Sequence, residues 1–211
     1  METKYQETLH FSDANVEERR SIYEDIGIKK VSMIQGLNEK SAETKRSGID
    51  VSGTAEFGRI KIKEIFCDYM YSYMLMKKIP VELYSDFEDS TQGWLMTSSA
   101  DTVFYFFRDA IVSTDIQQLR DFVDQIREDG SFDDMFNGLV STFIEHNVNG
   151  KSLEGVEGVS IYIQKKEDGH HSAGITLEVN SLPDDAMDIS EYYFEEEEEI
   201  PEEEPEPEEE E

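Results

Sequence analysis

The sequence predicts a mixed α and β fold: a mixed sheet with flanking helices, a C-terminal β-hairpin and an acidic tail outside the core. Three observations support this prediction. Several segments alternate apolar with polar residues, as half-buried strands do, others repeat apolar residues at helical spacing, and the C-terminus has almost no apolar residues. A length of 211 residues suits one domain with a hydrophobic core, with or without a small appendage.

The first elements are a helix and a strand. Residues 15–26 place apolar side chains at helical spacing, and Gly27 is suited to end that helix. Residues 59–65 alternate apolar and charged side chains, which predicts a half-buried strand. Gly53 and Gly58 come just before it and indicate a hairpin turn.

The middle of the chain is less distinctive. Residues 66–78 are rich in Tyr and Met, which favours a helix but also fits a strand, and residues 79–84 predict a strand. Residues 94–96 and 102–107 flank a turn-like cluster at 98–101. This arrangement predicts another hairpin.

Two amphipathic helices are expected next. Apolar residues line one face of residues 116–126 before Gly130, and one face of residues 132–144 before Gly150. The connection between them is short, so we expect the two helices to pack as a pair.

A hairpin with two histidines at its tip is predicted near the C-terminus of the body. Residues 159–163 and 175–179 alternate with period two, and the tip carries His170 and His171. Adjacent histidines can ligate Zn²⁺ or Ni²⁺ when carboxylates lie nearby, but at a polar tip we expect plain surface residues. The acidic residues 86–89 lack the alternating oxygen ligands and closing glutamate of a calcium loop.

Charge divides the chain into two parts. The formal net charge is -30, and the segment 181–211 holds 17 of the 49 acidic residues with no Lys or Arg. The remaining 32 acidic and 19 basic residues leave the segment 1–180 with a net charge of about -13. We therefore predict a folded acidic body over 1–180 and a disordered Glu/Pro-rich tail over 181–211.

The tail is the predicted partner-binding segment. An anionic arm is repelled by nucleic acid and anionic membranes and attracted to basic surfaces, above all those that hold nucleic acid. A tail that only keeps the protein soluble or binds cations loosely fits the same composition. The glutamates expected to contact a partner are Glu195, Glu196, Glu197, Glu198, Glu199, Glu202, Glu203, Glu204, Glu206, Glu208, Glu209, Glu210 and Glu211.

Several classes of function are not indicated. No apolar stretch is long enough for a membrane span, and Met1 is not followed by an apolar signal region, so no membrane partner is expected. A single cysteine, Cys67, allows no internal disulfide and fits the cytoplasm. The sequence contains no glycine-rich phosphate loop, paired-cysteine site or serine elbow, and no basic stripe with aromatics. We therefore expect neither a cofactor nor direct binding of nucleic acid, and the oligomeric state stays open.

Two acids carry a resemblance to nucleases. Asp50, Glu64 and the aromatic strand after them resemble PD-(D/E)XK nuclease-like domains over about residues 15–107. The resemblance implies that the two acids hold Mg²⁺ and that a lysine two residues past the second acid assists the attacking water. Phe66 stands in that place. In the other possible register, Lys63 takes the position of the second acid, and Ile65 stands where the lysine belongs. The expected body is a nuclease-like scaffold without catalysis, although both acids also fit ordinary roles at a turn and a strand edge.

The whole chain has a second resemblance. Its small size, acidic body and polyglutamate tail resemble early host-takeover proteins of large lytic Bacillus phages, which include an acidic, cytotoxic RNA polymerase inhibitor. The resemblance implies a non-enzymatic inhibitor of host bacterial RNA polymerase that shuts off host transcription in the host cytoplasm.

Two alternatives stay open. One is a Mg²⁺-dependent nuclease that uses Asp50 and Glu64, with Lys61 or Lys63 in place of the missing lysine. The alternation of the strand counts against it, because both lysines are expected to point to the face opposite Glu64. The other is a DNA-mimic inhibitor of another host nucleic-acid-binding protein.

Overall fold

Two β-sheets are built by the part of the chain that the structure describes. The structure is a computed structural model, and it describes residues 16–33, 48–67, 77–107, 109–128, 130–148, 152–156, 158–166, 168–182 and 187–191. The described helices are α1 (Val16–Asp25), α2 (Trp94–Thr97), α3 (Ile116–Arg127) and α4 (Ser131–Glu145), with a 3-10 turn at Val179–Ser181. The mixed α and β class predicted from the sequence is confirmed.

Eleven strands are described. They are β1 (Lys29–Met33), β2 (Val51–Ala55), β3 (Gly58–Phe66), β4 (Lys78–Asp86), β5 (Thr91–Gln92), β6 (Thr102–Phe106), β7 (Ala110–Asp115), β8 (Ser152–Val156), β9 (Val159–Lys165), β10 (His171–Glu178) and β11 (Met187–Glu191). One sheet has the strand order β1-β2-β3-β6-β7-β11, and the other has the order β5-β4-β10-β9-β8.

The six-stranded sheet is mixed because of one parallel pair. Strands β1, β2 and β3 form an antiparallel meander, and β6 then lies parallel to β3. The chain contributes β4, β5 and α2 before it returns as β6, and this crossover lets β6 run in the same direction as β3. The remaining pairs in both sheets are antiparallel.

Strand β6 is buried on both faces, which explains its uninterrupted apolar sequence. Phe104 and Phe106 pack with α1, and the ring of Tyr23 meets Phe104 edge to face at 5.2 Å. Val103 and Tyr105 belong to the larger core, which joins the opposite side of this sheet to the five-stranded sheet and to α3 and α4. Two hydrophobic clusters therefore lie on opposite sides of the six-stranded sheet.

The helix pair α3–α4 covers the larger core. Asp115 caps α3, since its side chain accepts hydrogen bonds from two backbone N–H groups of the first turn. Leu119 and Val123 of α3 are buried, as are Phe136 and Val140 of α4. Both helices and their predicted buried faces are confirmed.

Most predicted elements are present. The helix at 15–26 is α1, and the strand at 59–65 is β3, which forms a hairpin with β2. The strand at 79–84 is β4, and the hairpin near the C-terminus is the β9–β10 pair. The predicted helix at 66–78 falls mostly on residues outside the described ranges.

The predicted hairpin at 94–107 is wrong. Trp94–Thr97 forms the single helical turn α2, whose Leu95 is fully buried, so β6 pairs with β3 and β7 instead. The backbone N–H of Gly93 donates to a carbonyl oxygen of β4 at 2.7 Å, which fixes the start of the turn. Short apolar runs do not distinguish a buried helical turn from a strand by periodicity.

The segment 15–107, over which the nuclease resemblance extends, is not a self-contained unit. Its strands β4 and β5 belong to the five-stranded sheet, and β7 and β11 complete the six-stranded sheet. The predicted start of the tail needs correction. The tail does not begin at residue 181, because Leu182 is buried and Met187–Glu191 pairs with β7. This acidic segment therefore contributes an edge strand to the six-stranded sheet. Residues 192–211 lie outside the described ranges.

No helix within the described ranges is both long enough and apolar enough to cross a membrane.

The edge strand generates the first prediction. A chain that ends at Asn180 loses the burial of Leu182 and the whole β11–β7 ladder, whereas a chain that ends at Phe194 keeps both. We expect the shorter chain to be less stable by about 3 kcal/mol or more, since burial of one leucine alone contributes about 1.5–3 kcal/mol. The chain ending at Phe194 should unfold within about 0.5 kcal/mol of the full chain. Urea unfolding of the three proteins tests this, and equal midpoints would show that β11 adds no stability.

Candidate functional site

The two acids predicted from the nuclease resemblance lie next to each other, but their carboxylates bind different side chains. Asp50 stands immediately before β2, and Glu64 lies near the end of β3. Along β3 the side chains alternate, so Glu64 faces α1 together with Ile62, while Lys63 lies on the opposite face. The expectation that Lys63 points away from Glu64 is confirmed.

Glu64 is held by two side chains of α1. One guanidinium nitrogen of Arg19 donates to Oε2 of Glu64 at 2.6 Å, and the hydroxyl of Tyr23 donates to Oε1 at 3.0 Å. Arg19 and Glu64 are both buried, and the guanidinium lies 4.8 Å from the ring centroid of Phe66. Both carboxylate oxygens of Glu64 thus have a donor from the same helix.

Burial sets the protonation behaviour of this cluster. Removal from water raises the pKa of Glu64 above its ordinary value, and the charge of Arg19 and its hydrogen bond oppose that change. Burial raises the pKa of Tyr23 well above its ordinary value, and the neighbouring negative charge of Glu64 raises it further. Tyr23 is therefore a hydrogen-bond donor at neutral pH.

Asp50 closes the end of the β2–β3 ladder. Its backbone N–H donates to the carbonyl oxygen of Ile62 at 2.9 Å, and its Oδ2 accepts from the backbone N–H of Glu64 at 2.9 Å. The Nζ of Lys63 reaches the same Oδ2 at 2.9 Å. The carboxylate continues the hydrogen-bond pattern of the strand where the backbone turns away.

The residues present do not fit the Mg²⁺ that the nuclease resemblance implies. A Mg²⁺ ion needs carboxylate oxygens that are free to coordinate it, but Arg19 and Tyr23 bind those of Glu64, and Lys63 binds Asp50. A third cation between two cationic side chains would be repelled. Among the described residues, no three or more His, Cys, Asp or Glu side chains are grouped to hold a metal.

Arg19 and Tyr23 were not selected from the sequence, although a signal for them was present. They are four residues apart on a predicted helix and therefore share a face with its apolar residues. An arginine on the buried face of a helix requires a buried acid as its partner. Glu64, on the buried face of a half-buried strand, is such an acid.

A further acid, Glu82, lies on the other side of Lys63. Burial raises its pKa above the ordinary value, while the charges of Lys166 and Lys63 oppose that change. Its Oε1 accepts a hydrogen bond of 3.3 Å from the backbone N–H of Trp94 at the start of α2. Glu82 thereby attaches α2 to the five-stranded sheet.

Of the two adjacent histidines, His170 is the surface residue that the sequence predicted, and His171 is not. His171 is buried in β10, and its Nδ1 forms a short contact with the carboxylate of Glu88. His170 is about half exposed, and its Nδ1 lies 2.9 Å from Oδ2 of Asp86. The histidine pair and the acidic segment 86–89 therefore meet in space and connect the β9–β10 hairpin to the end of β4.

The exposed side of α3 carries uncompensated acids. Asp121 and Asp124 of α3 and Glu128, which directly follows the helix, are exposed, and no basic residue of the described ranges forms an ion pair with them. The two arginines of the helix have other partners: Arg120 donates to two backbone carbonyl oxygens in and just after α2, and Arg127 pairs with an aspartate of α4 at 2.8 Å. The helix therefore presents a stripe of carboxylates to solvent.

The predicted partner-binding glutamates, from Glu195 to Glu211, lie outside the described residues. Their role stays a prediction from the sequence.

No family model, curated protein or solved structure matches this chain.

The buried ion pair generates the second prediction. In Glu64→Ala, Arg19 stays buried without its carboxylate, and we expect the free energy of unfolding to fall by about 3–5 kcal/mol. Glu17→Ala is the matched control, because Glu17 is largely exposed and 3.9 Å from its cationic partner, and its effect should stay within about 0.5 kcal/mol. Urea unfolding without metal measures both. A metal-binding role predicts the opposite result, since removing one of two adjacent carboxylates would relieve repulsion in the metal-free protein.

The third prediction concerns the pH dependence of stability. The pKa of Glu82 is raised in the folded state, so its stabilising effect is present below the ordinary pKa of 4.5 and is lost as pH rises through the folded value. Glu82→Gln cannot ionise and keeps the oxygen that accepts from Trp94. We expect this variant to gain stability relative to the parent chain as pH increases from about 4 to 8. Unfolding curves across that range test this, with the exposed Glu128→Gln as control. A difference that does not change with pH would contradict the prediction.

Proposed function

We propose that this chain is a phage early protein that binds and inhibits the RNA polymerase of its bacterial host, through acidic contacts that mimic nucleic acid. The observation that carries the proposal is the distribution of charge. The net charge is -30, and 13 glutamates occupy the last 17 residues beyond the described fold. The inhibition is proposed to be non-enzymatic and to act in the host cytoplasm.

The physical basis is competition for a basic surface. A polymerase holds its template and product in channels lined with cations, and a flexible polyanion is attracted to the same channels. The sequence from Glu195 to Glu211 contains only Glu, Pro and one Ile, so it presents carboxylates at high density without a competing apolar core.

The body supports the same proposal through α3. Asp121 and Glu128 are seven residues apart, so the three carboxylates of the stripe extend over about 10 Å of helix. One DNA strand places roughly three phosphates in the same length. The exposed side of α3 thus approaches the linear charge density of a nucleic acid strand.

The buried pairs support a non-enzymatic role. Asp50 and Glu64 are the acids that a nuclease would need, and each already binds a cationic side chain of this chain. Their contacts attach α1 and β2 to β3, which is a structural role.

Tail and body have separate tasks in this proposal. Polyelectrolyte attraction produces fast encounter and strong salt dependence but little selectivity between basic partners. The folded body must therefore supply the contacts that select the polymerase.

The fourth prediction tests the tail. A chain ending at Phe194 keeps β11 and should inhibit transcription by purified bacterial RNA polymerase about tenfold less strongly at low salt, with a flatter salt dependence. A full-length control with Gln at all 13 tail Glu positions keeps the length and should behave like the truncation. Inhibition by the truncated chain that equals that of the full chain would remove the tail from the mechanism.

Three other outcomes address the proposal itself. If the full chain neither binds nor inhibits purified polymerase, the proposed function is wrong. Capture of a different nucleic-acid-binding protein that is inhibited in its own assay would favour a DNA mimic with another target. Mg²⁺-dependent DNA cleavage that is lost in Asp50→Ala would favour a nuclease.

A further inference from the structure

The most exposed large apolar side chain of the described residues is Phe57, at 98% exposure. It lies in the two-residue turn of the β2–β3 hairpin, between the paired residues Ala55 and Gly58. Burial of a large apolar side chain is favourable, and a side chain left in water does not contribute that free energy. Because Phe57 is fully exposed, packing within the fold does not explain a phenylalanine at this position.

The turn that carries Phe57 is short and ends in a glycine-specific conformation. Gly58 has a φ of 127°, a conformation that side chains with a Cβ rarely adopt. Strands β2 and β3 remain paired up to Ala55 and Gly58, so the tip is short and supported by the meander. Ordered presentation lowers the entropic cost of inserting a side chain into a partner.

A second exposed apolar residue lies at the same end of the sheet. Ile26, at 53% exposure, directly precedes the loop into β1. In the strand register Lys29 lies opposite Thr54, so the chain just before β1 runs beside the turn that carries Phe57. The α1–β1 loop and the β2–β3 turn thus form one tip with two exposed apolar side chains.

The strand ends beside the β2–β3 turn are basic in a strongly acidic protein, whereas two exposed acids, Glu24 and Asp25, directly precede the α1–β1 loop. Lys29, Thr54 and Arg59 are neighbours in register across three strands, so they form a row at about 5 Å spacing, and all three are exposed. Lys30 is also exposed, and Glu56 is the acid in the turn. The Phe57 side of the tip therefore combines an exposed aromatic residue with cations on the adjacent strand ends.

We infer that Phe57 is an anchor that inserts into an apolar pocket, bordered by carboxylates, on the protein this chain inhibits. The inference rests on the proposed function and identifies the body's selective contact with polymerase. A second copy of the chain is disfavoured as the occupant, because two chains that each carry a formal net charge of -30 repel each other. Anionic membranes are disfavoured for the same reason.

Recognition of the polymerase then uses two separate contacts. The acidic tail and the α3 stripe contact basic surfaces, and the basic tip contacts an acidic, apolar one. Opposite charge patterns at two places of one protein restrict the partner more than a polyanion alone does.

Binding of purified bacterial RNA polymerase to Phe57→Ala tests the inference. We expect the dissociation constant to rise about 30-fold, chiefly through faster dissociation, as for an aromatic hot-spot residue. Because Phe57 is exposed, the unfolding midpoint should not change. Met96→Ala, which shortens another exposed apolar residue, should bind within twofold of the parent chain. Arg59→Glu should also weaken binding, and less so at high salt.

The salt dependence distinguishes this inference from the role of the tail. Phe57→Ala should weaken binding at every salt concentration, and in the chain ending at Phe194 as well. An affinity within twofold of the parent chain would overturn the anchor and leave the proposed function standing. Failure of the unaltered chain to bind polymerase would overturn both. Loss of self-association in Phe57→Ala, measured by sedimentation, would identify a second copy as the occupant and overturn the inference.

Discussion

The buried Arg19–Glu64 ion pair, with Tyr23 as its second donor, is the interaction on which the arrangement of α1 on the six-stranded sheet depends. Hydrophobic contacts with Phe104 and Phe106 hold the helix against the sheet, but they do not select one axial position along it. A charge pair without water does select one, because any shift leaves two buried charges unpaired. The same pair occupies the carboxylate that a nuclease would use for metal.

Strand β3 connects the polar contacts of the two faces. Glu64 binds side chains of α1 on one face. Lys63, on the other face, binds Asp50 and is close enough to Glu82 to lower the pKa of that carboxyl. A motif that resembles a catalytic arrangement in the sequence is thus a set of structural ion pairs. The cationic side chains beside Asp50 and Glu64 determine what these two acids can bind.

The molecule combines two surfaces of opposite character. Acidic side chains on α3 and in the C-terminal segment suit a basic partner surface, and the tip formed by Phe57 and its basic neighbours suits an apolar, acidic one. Strong charge accelerates encounter, whereas a desolvated aromatic contact slows dissociation. The proposed inhibition of polymerase needs both properties, since attraction alone does not select a target.

The sequence by itself determined the class of fold, α1, α3, α4, the β9–β10 hairpin and the division of charge, because these features follow from local periodicity and composition. Only the tertiary structure decided the rest. It placed β6 parallel to β3, made α2 a helical turn and brought Met187–Glu191 into the sheet as β11. It also paired Arg19 with Glu64 and His171 with Glu88. These outcomes depend on contacts between residues far apart in the chain, and periodicity within one segment carries no information about the partner across space.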